Sequence, residues 1–83
     1  MPERSTLQRI IEIVAKQADA PVGEVTPDTH LINDLGFDSL DVMETVMELE
    51  DQFGIGVEED DIPSLNTPKL ISEYVATRTV SSS

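Results

Sequence analysis

The sequence predicts an all-α fold: a small bundle of three main helices plus one short helix, with a long loop between the first and second helices. Three observations predict it. Apolar residues recur at three- and four-residue spacing over long segments. Helix start signals precede those segments. No stretch shows the strict apolar–polar alternation of a half-buried strand. The 83 residues are expected to form a single domain over 1–83, with its core over about 5–76 and a disordered tail over 77–83. A core of this size is marginal, which favours a simple fold rich in local contacts.

The first helix is expected to start at Ser5. Ser5 and Gln8 have the spacing of a capping box, and Leu7, Ile10, Ile11, Val14, Ala15 and Ala18 trace one buried face. Pro21 and Gly23 are expected to end the element. Residues 19–37 then form a long connection, punctuated by Pro27 and Gly36 but holding Val22, Val25, Leu31, Ile32 and Leu35 for packing. A loop of this length is functional or pinned by its own apolar residues. Residues 31–35 are expected to form a short helical turn.

The second helix is predicted over 39–53, with Asp38 as N-cap. It carries two apolar stripes. One holds Val42, Val46, Leu49 and Phe53; the other holds Leu40, Met43 and Met47. A small bundle can bury the first stripe fully. Periodicity leaves the second open between core and a partly exposed contact surface, for which the adaptable thioethers of methionine are suited. Gly54 and Gly56 end this helix. The run Glu58-Glu59-Asp60-Asp61 is expected to open a short helix ending near Pro63, because acids favour a helix N-terminus. Thr67-Pro68 signals the last helix, with Leu70, Ile71, Tyr74 and Val75 as its buried residues.

Composition excludes several chemistries. There is no cysteine, so disulfides, thiolate metal sites and cysteine nucleophiles are absent. No apolar run has the length of a membrane span, and the first residues do not read as a signal peptide, so a soluble, cytoplasmic protein is expected. The chain holds 17 acidic and 5 basic residues, and 14 of the acidic ones fall between Gln17 and Pro68, where there is no Lys or Arg. Nucleic-acid binding needs cations to neutralise phosphates and is excluded on that ground. The same negative field steers basic partners and costs stability through self-repulsion.

Gly36-Phe37-Asp38-Ser39-Leu40-Asp41 is the most informative stretch. It lacks the Gly-x-Ser-x-Gly frame of a nucleophile elbow. His30 is the single histidine, so a Ser39–His30 catalytic pair has little to recommend it. The acidic run lacks the alternating ligands and glycine of a calcium loop, and no dedicated metal site is expected. A serine to be modified suits the stretch better. The first turn of a helix offers free N–H groups and a positive dipole end to a phosphate. Asp38 and Asp41 oppose that attraction, and make sense as contacts for a basic modifying enzyme or its metal.

Asp34-Leu35-Gly36-Phe37-Asp38-Ser39-Leu40-Asp41, continuing through Glu44, Val46-Met47, Leu49-Glu50 and Phe53, resembles the acyl carrier proteins of fatty-acid and polyketide synthesis. The resemblance covers nearly all of residues 5–76, including Leu65-Asn66-Thr67 leading into Leu70, Tyr74 and Val75. It implies a carrier and not an enzyme, with the acyl-carrier-like bundle as its fold. Ser39, flanked by Asp38 and Leu40, would carry 4′-phosphopantetheine, derived from coenzyme A and attached by a phosphopantetheinyl transferase. The arm's thiol would hold acyl groups as thioesters, supplying the sulfur that the chain lacks.

The resemblance also implies that the second helix meets partner enzymes through Leu40, Asp41, Met43, Glu44, Met47 and Glu48, which shifts the second stripe toward exposure. Those partners would load, elongate and transfer acyl groups, and would present basic docking patches. Leu31, Ile32, Val46, Leu49, Ile62, Leu65 and Ile71 would line an acyl-chain pocket. Phe37 and Asp38 stand where peptidyl carriers show a second glycine and often a histidine, which favours an acyl carrier. Gly54-Ile55-Gly56 and the bulky Phe37 depart from the common fatty-acid pattern, so a dedicated carrier for a specialised lipid or polyketide stands as the alternative. No fused domain is visible, so a discrete, monomeric carrier working with separate enzymes is expected, without stable membrane insertion. Two readings of other classes are kept: an unmodified acidic helical interaction module whose Met-rich stripe binds a basic helix, and a weak divalent-ion binder.

Overall fold

The structure is a computed structural model and describes residues 5–78. Three α-helices form the bundle: α1 (Thr6–Ala18), α2 (Ser39–Phe53) and α3 (Pro68–Arg78). Two 3-10 segments, Val22–Glu24 and Glu59–Ser64, interrupt the connections. No strand occurs among the described residues. Helix α1 packs against both α2 and α3. That central position explains why it buries Ile13 as well as the expected Ile10, Ile11, Val14 and Ala15: a helix held between two neighbours needs a wider apolar face than one stripe. Leu7 and Ala18 lie at its edges, partly buried against the core.

The ends of the helices follow local chemistry. Ser5 Oγ accepts the N–H of Gln8 at 3.0 Å, but the Gln8 amide turns to Glu12 at 3.4 Å instead of returning to the cap. Half of the expected capping box therefore forms. Helix α1 stops before Pro21 and Gly23. Asp19 takes the left-handed conformation (φ 57°), and Ala20 N–H bonds back to Ala15 O at 3.0 Å, so the αL closure ends the helix first. Helix α2 begins and ends as expected. Asp38 and Asp41 form a complete capping box, and Gly54 closes the other end at φ 66°, where glycine has no Cβ penalty.

The long connection is stitched down instead of hanging free. Leu31 N–H donates to Asn66 O at 2.8 Å, Lys69 N–H to Pro27 O at 3.0 Å, and Phe37 N–H to Leu31 O at 3.0 Å. Val25, Leu31 and Phe37 are buried in the core, whereas Val22 and Ile32 are exposed. Residues 31–35 form a hydrogen-bonded turn, not a helix proper.

The short helix expected after α2 is present as the 3-10 segment, with Pro63 inside it, which lacks the N–H that a continuing α-helix requires. Two expectations need correction. Leu70 is exposed, and α3 buries Pro68, Ile71 and Val75. Those residues share one face at i, i+3 and i+7, and Leu70 sits off it. Of the tail expected to be disordered, Thr77 and Arg78 continue α3, and residues 79–83 lie outside the described residues.

Candidate functional site

Ser39 occupies the first helical position of α2 and is exposed. Two local features put it there. Gly36 adopts φ +73°, a left-handed conformation that lets the chain reverse out of the 31–35 turn. Asp38 then takes an extended conformation and caps the helix, accepting Asp41 N–H at 2.9 Å. Asp41 returns the bond by accepting Asp38 N–H at 3.2 Å. Among the described residues, no side chain or backbone group hydrogen-bonds the Ser39 hydroxyl. The N–H groups of Ser39 and Leu40 likewise find no acceptor, as is usual for a first helical turn.

A groove of about 640 Å³ opens beside Ser39, between the N-terminal half of α2, the loop around Leu31 and Phe37, and the 3-10 segment Glu59–Ser64. Leu31, Ile32, Ile62 and Leu65 line it, as do Phe37, Val42, Met43 and Pro63. Its polar lining comes from Asp38, Ser39, Glu59 and Asn66. Val46, Leu49 and Ile71 do not line the groove; they are buried in the protein interior.

The second stripe of α2 faces outward. Leu40 is 64% exposed, Met47 61% and Met43 39%, so these residues are not core. Their acidic neighbours are partly committed. Gln17 of α1 donates its amide to Glu44 Oε1 at 2.7 Å and lies 3.5 Å from Asp41 Oδ1. Glu48 accepts from Gln52 at 2.7 Å. Glu44, Glu48, Glu50 and Asp51 ring Met47 in a shallow acidic depression. The arginines sit elsewhere. Arg9 stacks 4.3 Å from the Phe53 ring and donates to Gln52 O, while Arg78 pairs with Asp61 at 3.2 Å. A negative, Met-bearing face thus lies next to Ser39, with these two cations engaged away from it.

His30 has a structural task. Its Nδ1 accepts the N–H groups of Ile32 at 3.2 Å and Asn33 at 3.0 Å, and the His30 backbone N–H donates to Asp34 Oδ2 at 2.8 Å. It caps the 31–35 turn, with Nδ1 as the acceptor. Among the described residues no hydrogen bond joins it to Ser39. Nor do three His, Asp or Glu side chains gather there as a metal cluster.

Sequence reasoning missed Phe37, Pro63 and Asn66 in the groove and Gln17 beside the acidic face. An aromatic between Gly36 and Asp38 was a usable signal for the first. Gln17 and Glu44 are 27 positions apart, and no periodicity links residues on separate helices.

Comparison with known proteins gives the same picture. The family described as "Phosphopantetheine attachment site" matches residues 8–75. A protein named acyl carrier protein, from Syntrophobacter fumaroxidans, is 40% identical over 68 residues, covering 82% of this chain and 84% of its own length. The solved structure of an acyl carrier protein from Enterococcus faecalis, described for its high thermal stability, superposes with a TM-score of 0.76 at 31% identity, covering 89% of this chain and 94% of that one. The matched region contains Ser39, the groove and the outward face of α2 together. The chain belongs to the acyl carrier protein family, whose members carry a covalent 4′-phosphopantetheine and act as carriers, not catalysts.

Proposed function

We propose that Ser39 is the attachment point of the 4′-phosphopantetheine arm, and that the chain as a single carrier domain delivers acyl thioesters to enzymes of fatty-acid synthesis. One observation supports this above others: an exposed hydroxyl without a partner stands at the first position of α2, at the mouth of an apolar groove. The residues around it fit the group. The N–H groups of Ser39 and Leu40 are free to meet phosphate oxygens, and the helix dipole favours negative charge there. In the transfer, the Ser39 Oγ–phosphorus bond forms and the phosphoanhydride of coenzyme A breaks. Adenosine 3′,5′-bisphosphate leaves, and the serine proton passes to a base of the transferase. When bound, the arm supplies a thiol that holds the acyl group.

The remaining residues divide the work. Leu40, Met43 and Met47 offer apolar contact, and Asp41, Glu44 and Glu48 meet cationic groups on partner enzymes. Asp38 and Asp41, both engaged in the cap, present their carboxylates to a basic transferase or its metal. Leu31, Ile32, Ile62 and Leu65, with Phe37 and Val42, shelter the acyl chain. Val46, Leu49 and Ile71, buried outside the groove lining, keep the interior packed. The protein works as a monomer in the cytoplasm. The bulk of Phe37 in the groove favours, as a second reading, a dedicated carrier for a specialised lipid or polyketide.

Genetic complementation of a carrier-deficient strain separates these readings from an unmodified interaction module. Ser39→Ala is expected to fail, while the wild type succeeds. Growth supported by Ser39→Ala would leave Leu40, Met43 and Met47 acting without an arm, and the proposal would fall.

A further inference from the structure

Besides Asp38, Ser39 and Glu59, the groove has one further polar residue that an aliphatic chain does not explain. Asn66 lines it together with Leu31, Phe37, Val42, Ile62 and Leu65, and is itself half-buried between the buried Leu65 and Pro68. Its backbone is fixed, since Asn66 O accepts Leu31 N–H at 2.8 Å. Its side-chain amide hydrogen-bonds no group among the described residues. The neighbouring Thr67 hydroxyl is committed, accepting Leu70 N–H at 3.2 Å. Asn66, a member of this otherwise largely apolar lining, has a side chain with two donors and one acceptor.

We infer that Asn66 is a specificity-determining residue for the cargo, favouring acyl chains that carry a carbonyl or hydroxyl oxygen over plain aliphatic chains of the same length. This rests on the reading that the groove shelters an arm-borne acyl group. An aliphatic chain lying over the amide strips its water and returns no partner, and an unpaired polar group is penalised more than a made hydrogen bond is rewarded. A carbonyl oxygen accepts from the amide NH₂, and a hydroxyl can donate to its oxygen or accept from its nitrogen. A site with a committed polar group discriminates strongly against an analogue that lacks the matching atom. Condensation of two thioesters leaves a carbonyl at the third carbon, so chains of this class are the direct products of elongation.

The test loads the full chain with octanoyl or 3-oxo-octanoyl phosphopantetheine, using the corresponding acyl coenzyme A and a broad-specificity phosphopantetheinyl transferase. Intact mass is read first: an unloaded Ser39 overturns the attachment reading and takes this inference with it. On loaded protein, the Asn66 side-chain NH₂ resonances are expected to move with the 3-oxo chain and to stay near their unacylated positions with octanoyl. Equal movement with both chains would overturn the inference while leaving attachment intact. The second readout is thioester cleavage by hydroxylamine, taken for each chain as the wild-type rate divided by the Asn66→Leu rate, which cancels intrinsic reactivity. The ratio is expected to fall below unity for 3-oxo-octanoyl and to reach or exceed it for octanoyl, the two differing about tenfold. Equal ratios would overturn the assignment. The resonance measurement uses the wild type alone and holds even if Asn66→Leu does not fold.

Discussion

Tyr74 donates its hydroxyl proton to Asp61 at 2.9 Å. The same oxygen accepts Glu58 N–H at 3.2 Å, and Arg78 completes the cluster, bonding Asp61 at 3.2 Å while stacking 4.6 Å from the Tyr74 ring. One side chain of α3 therefore holds both ends of the acidic run that leads into Ile62 and Pro63, the outer wall of the groove.

Removing that hydroxyl tests the arrangement. Tyr74→Phe is expected to keep the fold and lower stability by about 1 kcal/mol, read from urea unfolding. Hydrogen exchange is expected to quicken mainly over residues 58–64. Uniform acceleration across α1 and α2 would show that Tyr74 supports the whole bundle and not this wall.

The two faces of α2 are expected to answer differently to truncation. Leu49 is 1% exposed and Leu40 64%. Leu49→Ala is expected to cost about 3 kcal/mol through lost burial and a cavity. Leu40→Ala is expected to stay within about 0.5 kcal/mol of wild type yet to raise the KM of a partner enzyme for the carrier. Similar stability losses at both positions would mean that Leu40 is core.

Charge predicts a salt response. With 14 acidic residues and no Lys or Arg between Gln17 and Pro68, repulsion persists in the folded chain, because Arg9 and Arg78 are occupied at Phe53 and Asp61. Added salt screens that repulsion beyond about 10 Å at 0.1 M. The melting temperature is expected to rise from low to moderate ionic strength. A flat or falling profile by calorimetry would contradict the charge argument.

Much of the fold was legible because it rests on short-range chemistry. The Asp38 cap, the Ser39 start and the Gly54 stop of α2 are each decided within a few residues, and all appear where expected. The outward stripe of α2 was visible as two apolar faces on one helix, though only tertiary packing decides which one is covered. Other features depend on partners far away in the chain. Leu70 had the right spacing for α3 but the wrong side of it once Pro68, Ile71 and Val75 faced α1. The tie from Gln17 to Glu44 joins two helices. The groove needs Leu31, Val42 and Ile62 from three separate segments, so its lining could not be told from the interior residues Val46, Leu49 and Ile71. His30 looked idle because its partners are backbone N–H groups, which carry no sequence signature.

The central claim is that Ser39 carries the arm on which the protein's work depends. The most direct measurement is the intact mass of the chain before and after incubation with coenzyme A and a broad-specificity phosphopantetheinyl transferase. The apo wild type is expected to gain the mass of one 4′-phosphopantetheine, and Ser39→Ala to gain none. An apo wild type of unchanged mass, or the same gain in Ser39→Ala, would contradict the account.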